Sequence, residues 1–196
     1  TVGRIQKDML ALTNEQYDVL DYFTLNDNPR ILVNGSAGSG KSQCAVYIAQ
    51  DLATEGKRVL LVCYNKRLAR HLREEMDSVP GVDVAVFHDY MESLISRAGL
   101  TESLGQPPQD PADTGQYYDV RIPEMCVNAL LELEDFEPYD ALVVDEGQDL
   151  VKSGFVDVWD FLLAGGIMDG SWAVFYDENQ NIYNGLTEAA MGRLTR

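Results

Sequence analysis

The stretch "RILVNGSAGSGKS", residues 30–42, decides the fold. An apolar run, Ile31-Leu32-Val33, leads into nine residues that hold three glycines and three serines around a single lysine. The spacing fits G-x-x-x-x-G-K-[ST] as Gly35, Gly40, Lys41 and Ser42, with Ser36, Ala37, Gly38 and Ser39 completing the loop. A buried strand that turns through glycines into an amphipathic helix aims several backbone N–H groups, and the helix's positive end, at one point. That point suits a chain of phosphates. Lys41 would neutralise the β- and γ-phosphates, and Ser42 would offer its hydroxyl to Mg²⁺. A glycine-rich turn with no ligand would share the local spacing, so the rest of the chain has to decide.

Working outward, four more apolar runs read as buried strands: "RVLLVC" (58–63), "VDVAVF" (82–87), "ALVVD" (141–145) and "WAVFY" (172–176). Between them apolar residues recur at helical spacing, as in Ala45, Ile48, Ala49 and Leu52, then Met91, Leu94, Ile95 and Ala98. The same holds for Ile122, Cys126, Leu130 and Leu133, and for Phe155, Val158, Trp159 and Leu162. Strands alternating with helices predict a parallel sheet covered on both faces. Residues 99–121, rich in Gly, Pro, Asp and Gln, read as a flexible surface insertion.

A nucleotide site also needs a carboxylate at the end of another strand, and "ALVVDEGQD" supplies it. Asp145 would hold Mg²⁺, while Glu146 would take a proton from the attacking water. Adjacent acids with separate tasks point to hydrolysis. Alternatively, "DEGQD" is a solvated acidic loop of an acidic protein.

The chain has 196 residues with 15 Lys+Arg against 32 Asp+Glu, a formal net charge of −17. Length and a 45% apolar content suit one domain with a sizeable core. The charge disfavours non-specific binding of nucleic acid or anionic membrane by the whole surface, so any polyanion contact must be local. Lys66, Arg67, Arg70 and Arg73 provide such a place, although Leu68, Leu72 and Met76 mark the same segment as an amphipathic helix. Cys44, Cys63 and Cys126 are odd in number and embedded in apolar runs, which fits reduced thiols in a cytoplasmic protein. No run is long and apolar enough for a membrane span, and the N-terminus lacks a signal-peptide core.

Together "GSAGSGKS" and "LVVDEGQD" resemble the first RecA-like motor domain of superfamily 1 DNA helicases of the UvrD/Rep type. Four further segments match in the same order. "LTNEQYDVL" (12–20) resembles the adenine-reading motif, which implies that Gln16 bonds the base; Thr13 and Gln16 also have the spacing of a helix capping box. "LLVCYNKRLARHL" (60–72), "VFHDY" (86–90) and "FYDENQNIY" (175–183) resemble motifs Ia, Ib and III. The resemblance implies that Tyr64, Asn65, Arg67, Phe87, His88 and Tyr183 touch single-stranded DNA or RNA, and that Gln180 senses the γ-phosphate; Asp177 and Gln180 would lie at the tip of a strand next to the Asp145 strand. Each segment also has a plain structural role open to it: a strand end, a packed aromatic or a polar loop.

The implied fold is a three-layer α/β/α RecA-like P-loop NTPase sandwich with about five parallel strands, residues 1–196 forming one domain. The implied partners are Mg-ATP, a single strand, and a second RecA-like domain of the same polypeptide that supplies transition-state arginines worth ~10³–10⁵ in rate. No such second domain is legible here, and the chain begins at Thr1, so it is expected to be part of something longer, with slow turnover alone. The usual insertion before Asp145 is reduced to residues 99–140, so a strand-separating wedge is not expected. Gly147 stands where alanine is common, and is read as carrying no weight. Two other functions fit the same motifs: an ATP-dependent switch for a protein partner, and a small-molecule kinase. Against the kinase stand Glu146 directly after Asp145 and the lack of a basic lid.

Overall fold

The structure, a computed structural model, describes residues 13–180 and 187–195. Five strands form one all-parallel sheet: β1 (Arg30–Asn34), β2 (Val59–Cys63), β3 (Val82–Val86), β4 (Ala141–Val144) and β5 (Ser171–Tyr176). Their order is β1-β5-β4-β2-β3, in register as Arg30 beside Trp172, Ala141 beside Ser171, and Val59 beside both Ala141 and Val82. All five predicted strands are present to within a residue at each end.

Helices cover both faces, because alternate strand residues point to opposite sides. Leu61, Cys63, Val143, Ala173 and Phe175 face α1 (Asn14–Leu25), α2 (Lys41–Thr54) and α3 (Lys66–Met76), burying Phe23, Ile48, Leu52 and Leu72. Leu60, Val62, Leu142, Val144 and Val174 face α4 (Phe87–Arg97), α7 (Ile122–Glu132) and α9 (Ser153–Leu162), burying Leu94, Cys126, Phe155 and Trp159. The layers are therefore α/β/α, as the sequence predicts. Among the described residues no helix is long and apolar enough to cross a membrane.

The expected loop over 99–121 contains local structure that its composition hides. Short helices α5 (Thr101–Leu104) and α6 (Pro111–Gln116) precede a π-helical turn, Tyr117–Arg121, that runs into α7. Asp110 caps α6 and Pro111 starts it. Buried Leu104 and Tyr117 pin the segment to the core, and Arg121 donates to the Leu104 and Ser103 carbonyls at 2.7 Å. The two short helices α8 (Gly147–Leu150) and α10 (Gly166–Asp169) and the last helix α11 (Glu188–Leu194) complete the chain.

The position of β5 matters most for function. It lies between the strand that feeds the glycine loop and the strand that ends in Asp145, so the loop after β5 emerges between the two.

Candidate nucleotide site

The glycine loop closes on itself. Lys41 Nζ donates to the carbonyls of Gly35 at 2.7 Å and Ser36 at 2.9 Å, while Ser39 N–H donates to the Ser36 carbonyl at 3.2 Å. Gly40 sits at φ 86°, in the left-handed region, and a Cβ there would lie 2.1 Å from Gln16 Nε2. Only glycine satisfies both conditions. Gln16 is itself doubly engaged: its Oε1 accepts from Thr13 N–H at 2.8 Å, and its Nε2 donates to the Ser39 carbonyl at 2.6 Å. The capping box therefore forms, and the side chain expected at the base also braces the loop; one Nε2 hydrogen and one Oε1 lone pair are left over for a base.

Asp145 stands at the end of β4, almost fully buried. One carboxylate oxygen accepts from Glu146 N–H at 2.9 Å; the other, Oδ2, is buried with no hydrogen-bond partner. Burial pushes this carboxyl above its ordinary value, opposed by the Ser42 hydroxyl, the Glu146 N–H and Lys41. An orphaned carboxylate oxygen beside a hydroxyl is a poor core arrangement, since a buried acceptor left unpaired costs about 1–3 kcal/mol. It is a good one for Mg²⁺, which takes one or two protein oxygens and completes its shell with water and phosphate. Ser42 and Asp145 thus fit that ion.

Glu146 is the one non-glycine with positive φ among the described residues, at φ 57°, ψ 42°. Such strain of about 1–3 kcal/mol persists where surrounding structure enforces it, commonly at functional sites. Its carboxyl is raised to about 7 by burial first, then by the charges of Asp145 and Asp149, and is lowered by the backbone N–H of Asn65. A carboxylate poised there suits a general base at neutral pH. Cys63 lies beside the same acids, and burial together with their charge pushes its thiol to about 12, leaving it unreactive.

Gln148, which the sequence reading passed over, and Asp177 tie the acidic loop to the loop after β5. Gln148, buried, accepts from the Asp177 N–H at 3.2 Å. Buried Asp177 in turn accepts from Gln180 Nε2 at 2.8 Å and from Asn179 N–H at 3.0 Å. Asn34, ending β1, donates to Glu178 at 3.0 Å and accepts from its N–H at 3.4 Å. The short 3₁₀ turn Glu178–Gln180 therefore touches both halves of the site. Gln180 faces Asp177 here, so sensing a γ-phosphate would require that bond to open. A buried glutamine one position past Gly147 is the signal in "DEGQD" that could have revealed this link.

Gly147 also needs correction. A Cβ on it would stand 2.7 Å from Val174 Cγ1 and 3.1 Å from the Phe175 carbonyl. The absent side chain lets α8 lie against β5, so the glycine carries weight.

The residues expected to meet a single strand divide into three groups. Tyr64 is 46% exposed, and Arg67 and Arg70 lie open on α3. His88 is half-buried, its ring centroid 5.7 Å from that of Tyr64. Phe87 does not belong with them: it is fully buried, 5.4 Å from Phe155 and 6.1 Å from Trp159 between ring centroids, so it packs the core. Asn65 is exposed, but its side chain caps α3 by accepting from Arg67 and Leu68 N–H. Arg73 turns away and donates to the Val84 carbonyl at 3.1 Å, covering the open edge of β3. Tyr183 lies outside the described residues.

A cavity of about 460 Å³ lies at the opposite, N-terminal end of the strands, lined by Arg58, Asp83, Tyr90, Arg97 and Tyr139. Arg58 is paired with Glu137 and Arg97 with Asp135, Asp83 accepts from the Tyr139 hydroxyl at 2.7 Å, and the cavity has no phosphate cradle. The chemistry gathers at the other end of the sheet, where glycine loop, Asp145, Glu146 and Gln180 meet.

Comparison with curated proteins returned no match. Comparison with protein families matched residues 22–186 to an AAA domain, a P-loop NTPase-like domain found in UvrD/Rep-type helicases. With five parallel strands, a phosphate cradle and a paired acidic loop at their carboxyl ends, the chain belongs to this AAA domain family.

Proposed function

We propose that this chain is the ATP-hydrolysing motor domain of a superfamily 1 DNA helicase or translocase, acting on single-stranded DNA or RNA, and that a second RecA-like domain of the same polypeptide completes its nucleotide site. The observation that carries the reading is the unpaired, buried Oδ2 of Asp145 beside Ser42 and Lys41, with the strained Glu146 next to it.

The chain's own residues divide the work. Backbone N–H groups between Ser36 and Ser42 orient the phosphates, that of Ser39 on leaving the Ser36 carbonyl, and Lys41 exchanges its two carbonyl partners for phosphate oxygens. Ser42 and Asp145 would hold Mg²⁺, which would neutralise phosphate charge. Glu146 accepts the proton of the attacking water, and Gln180 leaves Asp177 to face the phosphate. Without arginines from a second domain the developing charge is under-stabilised, so this chain alone turns over slowly.

The test is phosphate release from Mg-ATP by the chain, with and without a single-stranded oligonucleotide. Slow release abolished by Lys41→Ala and Glu146→Gln supports the proposal. Release as fast as a complete helicase would overturn the need for the second domain. Tight ATP binding with no oligonucleotide binding under any nucleotide condition would favour a protein-binding switch.

A further inference from the structure

Four separate segments meet at one aromatic cluster beside the carboxyl ends of β2 and β3. The His88 ring is at its centre, edge-to-face with Tyr64 at 5.7 Å, Tyr118 at 5.8 Å and Phe155 at 5.1 Å. Phe155 is fully buried and forms the floor; Tyr64 is largely exposed, and His88 and Tyr118 are half-buried. Tyr118 belongs to no motif: it comes from the π-helical turn that closes the insertion.

The turn holds its two tyrosines differently. Tyr117 is buried and donates its hydroxyl to the Gly105 carbonyl at 3.1 Å, anchoring the insertion. Tyr118 stands beside His88, and the next residue, Asp119, pairs with Lys152 at 2.8 Å. Lys152 also lies 5.4 Å from the centre of the Phe155 ring. Such π-helical turns are rare, and they concentrate at functional sites. Burial and the neighbouring Lys152 charge keep the His88 imidazole below its ordinary value, against the weaker opposite pull of Asp119 and Asp89. The ring is therefore a neutral aromatic at physiological pH.

A cluster built only for packing has no use for two tyrosines reaching its surface, or for a histidine whose buried Nε2 has no hydrogen-bond partner. Aromatic rings at a surface beside Lys66 and Lys152, which pair with Asp89 at 3.0 Å and Asp119 at 2.8 Å, and close in the chain to exposed Arg67 and Arg70, are a combination that takes unstacked bases and their phosphates. We infer that Tyr118 is a base-contacting residue, by which the insertion extends the single-strand surface begun by Tyr64 and His88. This rests on the strand-binding reading above, and adds to it a contact from a segment that the motifs do not cover.

The experiment measures fluorescence anisotropy of the whole chain, at low salt with a non-hydrolysable ATP analogue, on two labelled probes: oligothymidylate and an abasic oligonucleotide of equal length. Wild type is expected to favour oligothymidylate. Tyr118→Leu, which keeps an apolar side chain, should weaken oligothymidylate binding by about 5- to 100-fold and leave abasic binding unchanged, whereas Tyr118→Phe should keep both. Phe161→Ala, an exposed aromatic at the far end of α9, should change neither. Equal affinities for Tyr118→Leu and wild type would overturn the inference while leaving strand binding intact. An equal loss on both probes would assign Tyr118 a structural role and also overturn it. No binding of either probe by wild type would overturn both this inference and the proposed function.

Discussion

The backbone N–H of Asn65, whose own side chain caps α3, lies near enough to the Glu146 carboxyl to pull its value down. The proposed general base and the start of the basic helix thus share one residue. Asn65→Ala should lower stability by about 1 kcal/mol through the lost cap. The backbone N–H remains but sits on a frayed helix start, so its pull on the Glu146 carboxyl weakens. The acid limb of the hydrolysis pH profile should then move to higher pH, and Asn65→Asp should restore the cap. Thermal unfolding and pH–rate profiles measure the two effects.

Glu146 itself makes a paired prediction. Its folded-state value near 7 lies above the ordinary 4.5, so hydrolysis by an ionised base should rise with pH through about 7 and then level. Stability runs the other way. The folded state binds this proton more tightly than the unfolded chain, and that contribution is lost as pH rises from 4.5 through 7. Glu146→Gln should therefore abolish hydrolysis, retain ATP binding, and raise stability at pH 8 by about 1 kcal/mol after allowance for solvent screening. Denaturant melts at pH 5 and pH 8 should show the gain only at the higher pH.

Gly147→Ala should destabilise the protein by about 1–3 kcal/mol, because the added methyl meets Val174 and the Phe175 carbonyl. The displaced α8 carries Gln148, so hydrolysis should fall with it. In a double-mutant cycle the cost of Gly147→Ala should be smaller in a Val174→Ala background than in wild type, although Val174→Ala is itself destabilising. An unchanged cost would show that the Phe175 carbonyl, and not the valine methyl, sets the limit.

Phe87→Ala should cost about 3–5 kcal/mol, as for any large core aromatic. Phe87→Leu, milder in volume, should leave oligonucleotide affinity unchanged, while charge reversal at Arg67 and Arg70 should weaken it and reduce its salt dependence. Binding assays across a salt series separate these outcomes.

These contrasts show what the sequence could and could not convey. All five strands were legible because a parallel sheet buried on both faces needs uninterrupted apolar runs, as in Val59–Cys63 and Ala141–Val144. The cradle was legible because Gly40 has no substitute at its φ beside Gln16. Strand order was legible only in part: Asp177 and Gln180 are expected at the tip of a strand beside the Asp145 strand, and β5 does pair with β4, but nothing in "WAVFY" says that it also lies against β1. Phe87 and His88 were indistinguishable as neighbours in a motif, yet a helix start turns one into the core and leaves the other half-buried. The helices within 101–121 escaped notice because they are held by side-chain bonds to carbonyls, such as Arg121 to Leu104, that leave no periodic pattern.

The most direct test of the account is calorimetric titration of Mg-ATP into the wild-type chain and Lys41→Ala. The account predicts saturable binding by wild type that weakens about 10- to 100-fold without the lysine, the range for a charge-assisted contact to phosphate. Equal affinity in the two proteins would contradict it, because the loop at Gly35–Ser42 would then not be the phosphate cradle.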